Sequence, residues 1–207
     1  MFMKVRKKPV EVFSQWVETG KDEGMEKNHR EAVDVMLTYA TQGLNPFTFI
    51  DAGCGNGWVV REVANATNCY SATGVDGSQN MIKKAKKLDP NNTYIHSDLL
   101  EWTPQKKVDL VHSMEVFYYF QKPEKLITHI YESWLSKGGR LIIGLDFYME
   151  NIVSHSWPQD CGISIMTLLT IKNWETFFTI AGFKEVLSWQ VGAKESWAGS
   201  LIVTGVK

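Results

Sequence analysis

The stretch DAGCGNGW, residues 51–58, sets three glycines and a preceding carboxylate between the apolar run FTFI and the helix-patterned VVREVANA. A glycine-rich turn between strand and helix lets the backbone approach a ligand closely. The helix beyond it offers unpaired amides and the positive end of its dipole. The dinucleotide fingerprint GxGxxG would want its last glycine at position 58, where this chain has Trp58; its third glycine is Gly57. Asp51 closes the strand, where a polar role beside a ligand competes with a turn or capping role. Cys54 lies inside the loop with no histidine near it in sequence, so packing is its expected use rather than nucleophilic attack.

Three other segments carry most of the remaining chemistry: MEVFYYF, DFYMENIVSHSWPQDCG and GAKESWAG. Among their side chains His155 is the preferred general base, because an imidazole accepts a proton from an amine or hydroxyl near neutral pH. Glu115 and Tyr119 join it as candidate catalytic groups. Tyr118, Tyr148, Trp157 and Trp197 are candidate substrate contacts, and Lys194 and Glu195 lie in the same set. His112, inside DLVHSM, reads as a satisfied core histidine. Glu115 and Asp146 could share a metal ion but lack a third obvious carboxylate, so no metal is expected.

These groups need a scaffold that gathers them, and the patterning supplies one. Residues 22–42 space Met25, Val33, Met36, Leu37 and Ala40 as an amphipathic helix, stopped by Gly43 and Pro46. Strand and helix then alternate: FTFID, helix 58–66, SATGVD, helix SQNMIKKAKKL, TYIHSD, VDLVHSM, helix PEKLITHIYESWL and RLIIGLD. After an irregular stretch to about Leu169 come helix IKNWETFFTIAGF and the strands FKEVLSWQV and SLIVTGV, which read as an antiparallel hairpin. The expected fold class is α/β: a doubly wound, mostly parallel sheet of seven strands. In such sheets ligands collect beyond the carboxyl ends of the strands, where topology puts the glycine loop and the three polar segments.

The pattern DxGxGxG, the acid-ended GVDGS, SDLLEW, DLVHSMEVFYYF, SKGGRLIIG and AGFKEV before a closing hairpin resemble, in order, the class I S-adenosylmethionine-dependent methyltransferases of the small-molecule type. The resemblance runs from about residue 45 to the end, and it implies that the last strand is antiparallel. It divides the chain into an N-terminal helical lid, 1–44, and a cofactor-binding domain, 45–207. It implies that Asp76 takes both ribose hydroxyls, with Gly77 beside it, that Asp98 meets the adenine amine and Leu99 the ring edge, and that Met81 packs on adenine. Asp51, Gly53, Gly55 and Ser113 complete the implied cofactor set. Trp16 and Met25, with His29 toward substrate, are the lid residues implied to touch ligand. The implied cofactor is S-adenosylmethionine, yielding S-adenosylhomocysteine, and the implied reaction is in-line methyl transfer to a small acceptor with a nitrogen or oxygen nucleophile. Such a cofactor carries its own activated methyl, so alignment suffices and elaborate machinery is not required.

Other classes fit less well. A nicotinamide-dependent oxidoreductase would need GxGxxG; a base-methylating enzyme of this type would carry Asn or Asp, two prolines and an aromatic where SMEVFYYF stands. A non-catalytic binder of the same cofactor stays open. Twenty-two basic against twenty-three acidic side chains, net charge −1, predict no general attraction to nucleic acid or anionic membrane. The basic start MFMKVRKKP is followed by charges every few residues and resembles no signal peptide. Three cysteines without CxxC spacing disfavour a disulfide framework or zinc site and point to a reducing cytoplasm. A monomer or homodimer with a small-molecule partner is expected.

Overall fold

The computed structural model describes residues 6–207; residues 1–5 of the expected lid lie outside the described residues. Seven strands form one sheet in the order β3-β2-β1-β4-β5-β7-β6. In chain order they are β1 (Phe47–Ala52), β2 (Cys69–Asp76), β3 (Thr93–His96), β4 (Val108–Met114), β5 (Leu135–Leu145), β6 (Lys184–Val191) and β7 (Ser200–Val206). The first five are parallel, and β7 runs antiparallel to both β5 and β6. The helices are α1 (Pro9–Thr19), α2 (Gly24–Ala40), α3 (Trp58–Ala64), α4 (Gln79–Leu88), α5 (Pro123–His129), α6 (Trp157–Asp160) and α7 (Ile171–Ala181). Among the described residues no helix is long and apolar enough to cross a membrane.

The unbroken aliphatic runs of the central strands follow from burial on both faces, because successive strand residues point to opposite sides. Ile50, Val111, Ile143 and Val203 pack with Leu126, Ile127, Trp134, Trp174 and Phe178 under α5 and α7. Their neighbours Phe49, Leu110, Ile142 and Ile202 pack with Val33, Met36, Val60 and Ile82 under α2, α3 and α4. The chain leaves β1 toward one edge of the sheet and β4 toward the other. The carboxyl ends of β1 and β4 therefore diverge and open a crevice at the switch point.

Sequence and structure differ at several boundaries. Residues 9–19, which the charge pattern left undefined, form α1, with Pro9 in its first turn and Gly20 at φ 71° closing it. The helix expected over PEKLITHIYESWL ends at His129 and widens into a π-type turn through Trp134. The strand placed at RLIIGLD begins earlier, at Leu135. The closing hairpin forms as expected.

Candidate active site

The glycine loop is fastened to the end of β2. The amides of Gly53 and Cys54 both donate to the Val75 carbonyl, at 2.7 and 3.1 Å. The Gly55 amide donates to Asp76 Oδ2 at 2.9 Å, and the Ser78 amide donates to Asp76 Oδ1 at 2.7 Å. Gly57, at φ 79°, turns the chain into α3, and a Cβ there would lie 2.9 Å from Tyr94 Cζ. A side chain at that position would face both backbone strain and a ring with no room to yield. Burial pushes the Asp76 carboxyl above the usual carboxylate range, and the two amides pull it part of the way back. Each of its oxygens keeps a lone pair beyond these bonds, and Asp76 lines the cavity in front of the loop.

That cavity holds about 670 Å³. It is lined by Asp51, Gly53 and Gly55 of the loop, by Asp76, Gly77 and Met81, by Asp98 and Leu99, and by Glu115, Tyr118, Tyr119 and Trp157. Asp98 also accepts from the Leu100 amide at 2.9 Å, so it closes its own turn as well as facing the cavity. Helix α1 covers the opening with Trp16 and Phe13, and Phe13 meets the Tyr119 ring edge-on at 5.1 Å. Three attachments hold this N-terminal segment down. Ser14 and Ser78 share a hydroxyl hydrogen bond of 2.7 Å. Fully buried Asp22 pairs with Lys84 Nζ at 2.7 Å. Asn56, from the glycine loop itself, donates to the same carboxylate at 3.0 Å.

A cluster of acids stands just past the ends of β4 and β5. Glu115 follows β4 at φ 62°, a left-handed conformation that few non-glycine residues adopt. It accepts from the Tyr118 hydroxyl and from the Asp146 amide, both at 2.5 Å. Burial, and then the Asp146 carboxylate, hold Glu115 well above the usual carboxylate range. Burial likewise raises Asp146, opposed by Ser200 and His29. His29 Nε2 stands 3.7 Å from Asp146 Oδ2, while its Nδ1 bonds the Met25 carbonyl at 2.9 Å. The phenols of Tyr118 and Tyr119 are pushed up by burial and then by Glu115, which makes them hydrogen-bond donors rather than bases.

Six candidate residues stand elsewhere, among them Lys194 and Glu195, which are exposed at the hairpin tip and do not line the cavity. His155 is not a wall of the cavity: its Nε2 meets the Met149 carbonyl at 3.0 Å on an irregular segment, so it is not placed to take a proton from a bound acceptor. Ser113 donates to the Ala52 carbonyl at 2.6 Å, a tie between β4 and β1. Tyr148 is buried, donates to the Gly199 carbonyl at 2.9 Å and accepts from Gln190, which fastens the start of β7. Trp197 reaches the cavity only by stacking on Trp157, with ring centroids 6.2 Å apart.

Two features were missed. His112 is a core histidine on one side only: its Nδ1 meets Asp51 Oδ1 at 2.8 Å, but its buried Nε2 has no hydrogen-bond partner and the ring lines the cavity. Its place level with Asp51 on the neighbouring strand was the available signal. His29 belongs to the acid cluster, which no spacing could show. The Cys54 thiol is pushed well up by burial and then by Asp76 and Asp51, so it is held protonated.

Comparison with known proteins agrees with this geometry. A curated malonyl-[acyl-carrier protein] O-methyltransferase 2 of Ilyobacter polytropus is 28% identical over 127 residues, covering 58% of this chain and 49% of that protein. A trans-aconitate 2-methyltransferase of Rhizobium etli is 27% identical over 114 residues, covering 55% and 43%. The chain thus spans about half the length of these relatives. Among solved structures, a chain of a complex described as that of the Haloferax volcanii Trm112 methyltransferase activator with a methyltransferase superposes with a TM-score of 0.79 at 24% identity, covering 94% of this chain and 96% of that one. The N-methyltransferase NodS of Bradyrhizobium japonicum, solved with S-adenosyl-L-homocysteine, gives a TM-score of 0.67 at 18% identity, covering 86% of each chain. These two likenesses show the shared fold. A family model described as a methyltransferase domain matches residues 23–187, most of the sequence, and the chain belongs to that methyltransferase domain family.

Proposed function

We propose that the protein transfers a methyl group from S-adenosylmethionine to a small acceptor through a nitrogen or oxygen nucleophile. One observation carries this reading: a single cavity of about 670 Å³ is lined both by the glycine loop and Asp76 and by Glu115, Tyr118 and Tyr119, so a cofactor and an acceptor can share it. In this reading the loop amides and Asp51 receive the methionyl part, Asp76 the ribose hydroxyls, and Asp98, Leu99 and Met81 the adenine. The sulfonium methyl then points toward Glu115. The aromatic faces of Tyr118, Tyr119 and Trp157 surround the acceptor and favour the positively charged sulfonium by cation–π attraction. Glu115, with its proton affinity raised, takes the proton that the acceptor releases. Methyl transfer itself needs alignment and exclusion of water, which α1 supplies by lying across the opening.

Calorimetry with S-adenosylmethionine and with NAD tests the cofactor, and transfer of a radiolabelled methyl to pooled metabolites tests the reaction. Binding of the sulfonium compound alone, followed by label in a product, supports the proposal. Tight NAD binding without it overturns the cofactor; binding without any product across a broad pool leaves a cofactor-binding protein rather than an enzyme.

A further inference from the structure

Two carboxylates and an imidazole converge beside the acceptor end of the cavity: His29 from α2, Glu115 after β4 and Asp146 after β5. One ligand atom from each lies within 4.8 Å of the others. The carbonyl of Met25 can only accept, so His29 Nδ1 carries the ring hydrogen when the imidazole is neutral and Nε2 presents a lone pair toward Asp146. Asp146 Oδ1 is buried without a hydrogen-bond partner, in a side chain only 9% exposed. Asp146 Oδ1 is thus an unshared acceptor, and each Glu115 oxygen keeps a lone pair beyond its bond from Tyr118 or the Asp146 amide, so acceptor atoms of three side chains converge where a cation would be attracted.

We propose that His29 Nε2, Glu115 and Asp146 bind one divalent transition-metal ion at this end of the cavity. The charges match, since two carboxylates and a neutral imidazole balance a dication, whereas a monocationic amine would leave one buried carboxylate uncompensated. The donors match too: one nitrogen and two carboxylates suit Mn²⁺, Fe²⁺, Co²⁺ or Zn²⁺, while Mg²⁺ and Ca²⁺ prefer all-oxygen sites. His29 has the backing typical of a metal-bound histidine, its second ring nitrogen fixed on a backbone carbonyl. Glu115 spends one lone pair of each oxygen on Tyr118 and the Asp146 amide and retains another for the ion. Ligands about 2.1 Å from a shared ion stand about 3 Å apart, so binding draws the three side chains inward by rotamer adjustments.

Three protein ligands leave further positions on the ion, and His29 and Glu115 both line the cavity. An acceptor hydroxyl bound there would be oriented and made easier to deprotonate, its oxygen keeping a lone pair for the methyl. That consequence rests on the methyl-transfer reading, but the binding of the ion does not, so the two fail separately.

The test uses the full chain after chelation, titrated with Mn²⁺ alone by calorimetry, and by electron paramagnetic resonance with electron spin-echo detection. The expected result is one Mn²⁺ per chain, an imidazole nitrogen coupled to the ion, and affinity at least tenfold weaker in His29→Gln and in Asp146→Asn. His155→Gln, outside the cavity, retains wild-type affinity. Thermal melts of the metal-free proteins establish that the variants fold, and a Mn²⁺-dependent rise of the wild-type melting temperature that is absent from a folded Glu115→Gln gives a second readout. No saturable Mn²⁺ or Zn²⁺ binding by the wild type, or binding without nitrogen coupling and unchanged in folded variants, overturns the proposal. Stabilisation by small amines but not by metal overturns it as well and makes the cluster a cation pocket.

Discussion

Asp76→Ala is the sharpest test of how the glycine loop and β2 cooperate. The carboxylate does two things at once: it accepts from the Gly55 and Ser78 amides at 2.9 and 2.7 Å and turns its remaining lone pairs to the cavity. Hydrogen bonds to a charged group contribute about 1.5–3 kcal/mol each. In the proposed role, the loss of bonds to two ribose hydroxyls therefore costs at least about 3 kcal/mol of cofactor binding. At about 1.4 kcal/mol per tenfold, Kd for S-adenosylmethionine rises about a hundredfold or more. Loosening of the loop amides adds to this.

Asp76→Asn separates the contributions, because it keeps the volume and one acceptor oxygen but sets an NH₂ group against the N–H of Gly55 or Ser78. Its affinity should fall between wild type and alanine. The pH dependence has a definite sign. Burial raises the folded-state pKa of Asp76 in the unliganded protein, and the hydroxyls require the ionised form. Affinity should therefore weaken as pH falls through that raised value, an acid limb beginning at higher pH than an ordinary aspartate would give, and absent in Asp76→Asn. Calorimetry across pH reads both effects. Binding within about threefold of wild type in a cooperatively folded Asp76→Ala would refute the assignment of the carboxylate to the cofactor.

Two further outcomes concern the scaffold around the site. Lys84→Met leaves the fully buried Asp22 carboxylate with Asn56 and no cation. It should lower stability by about 3 kcal/mol or more in chemical denaturation and weaken cofactor binding by freeing α1, and Asp22→Leu in the same chain should recover part of the stability. At Asp89, burial pushes the carboxyl up, but hydrogen bonds from Asn92, Tyr94 and the Asn91 amide outweigh it and hold its pKa below the usual value. Its contribution is present above the unfolded-state pKa of about 3.9 and is lost as pH falls through the lower folded value. The stability gap between wild type and Asp89→Asn, measured by urea melts at pH 7 and pH 3, should narrow on acidification.

The local signals were strong where a single segment carries its own geometry. The displaced third glycine, Trp58 at position 58 and the acid closing GVDGS needed only spacing, because loop and helix end are neighbours in sequence and the sheet places the next strand beside them. The alternation of apolar runs likewise gave the sheet, since each strand hides both faces in the core. The irregular segment after β5 was another matter. It offered His155 as a base and Tyr148 and Trp157 as substrate contacts, and only the packing turned Trp157 to the cavity, put Tyr148 on the Gly199 carbonyl and left His155 on the Met149 carbonyl.

What the sequence determined by itself was the fold class, the position of the crevice and the loop that walls it, all of which follow from short-range periodicity and turn chemistry. Tertiary structure alone decided the chemistry past the ends of β4 and β5. Glu115 and Asp146 directly follow adjacent strands and could be paired by topology, but His29, beside them, comes from a helix far from either in sequence. Which residue of an amphipathic helix meets which strand end depends on how the helix settles on the sheet. No periodicity within the helix records that angle; the side chains filling the space between them do.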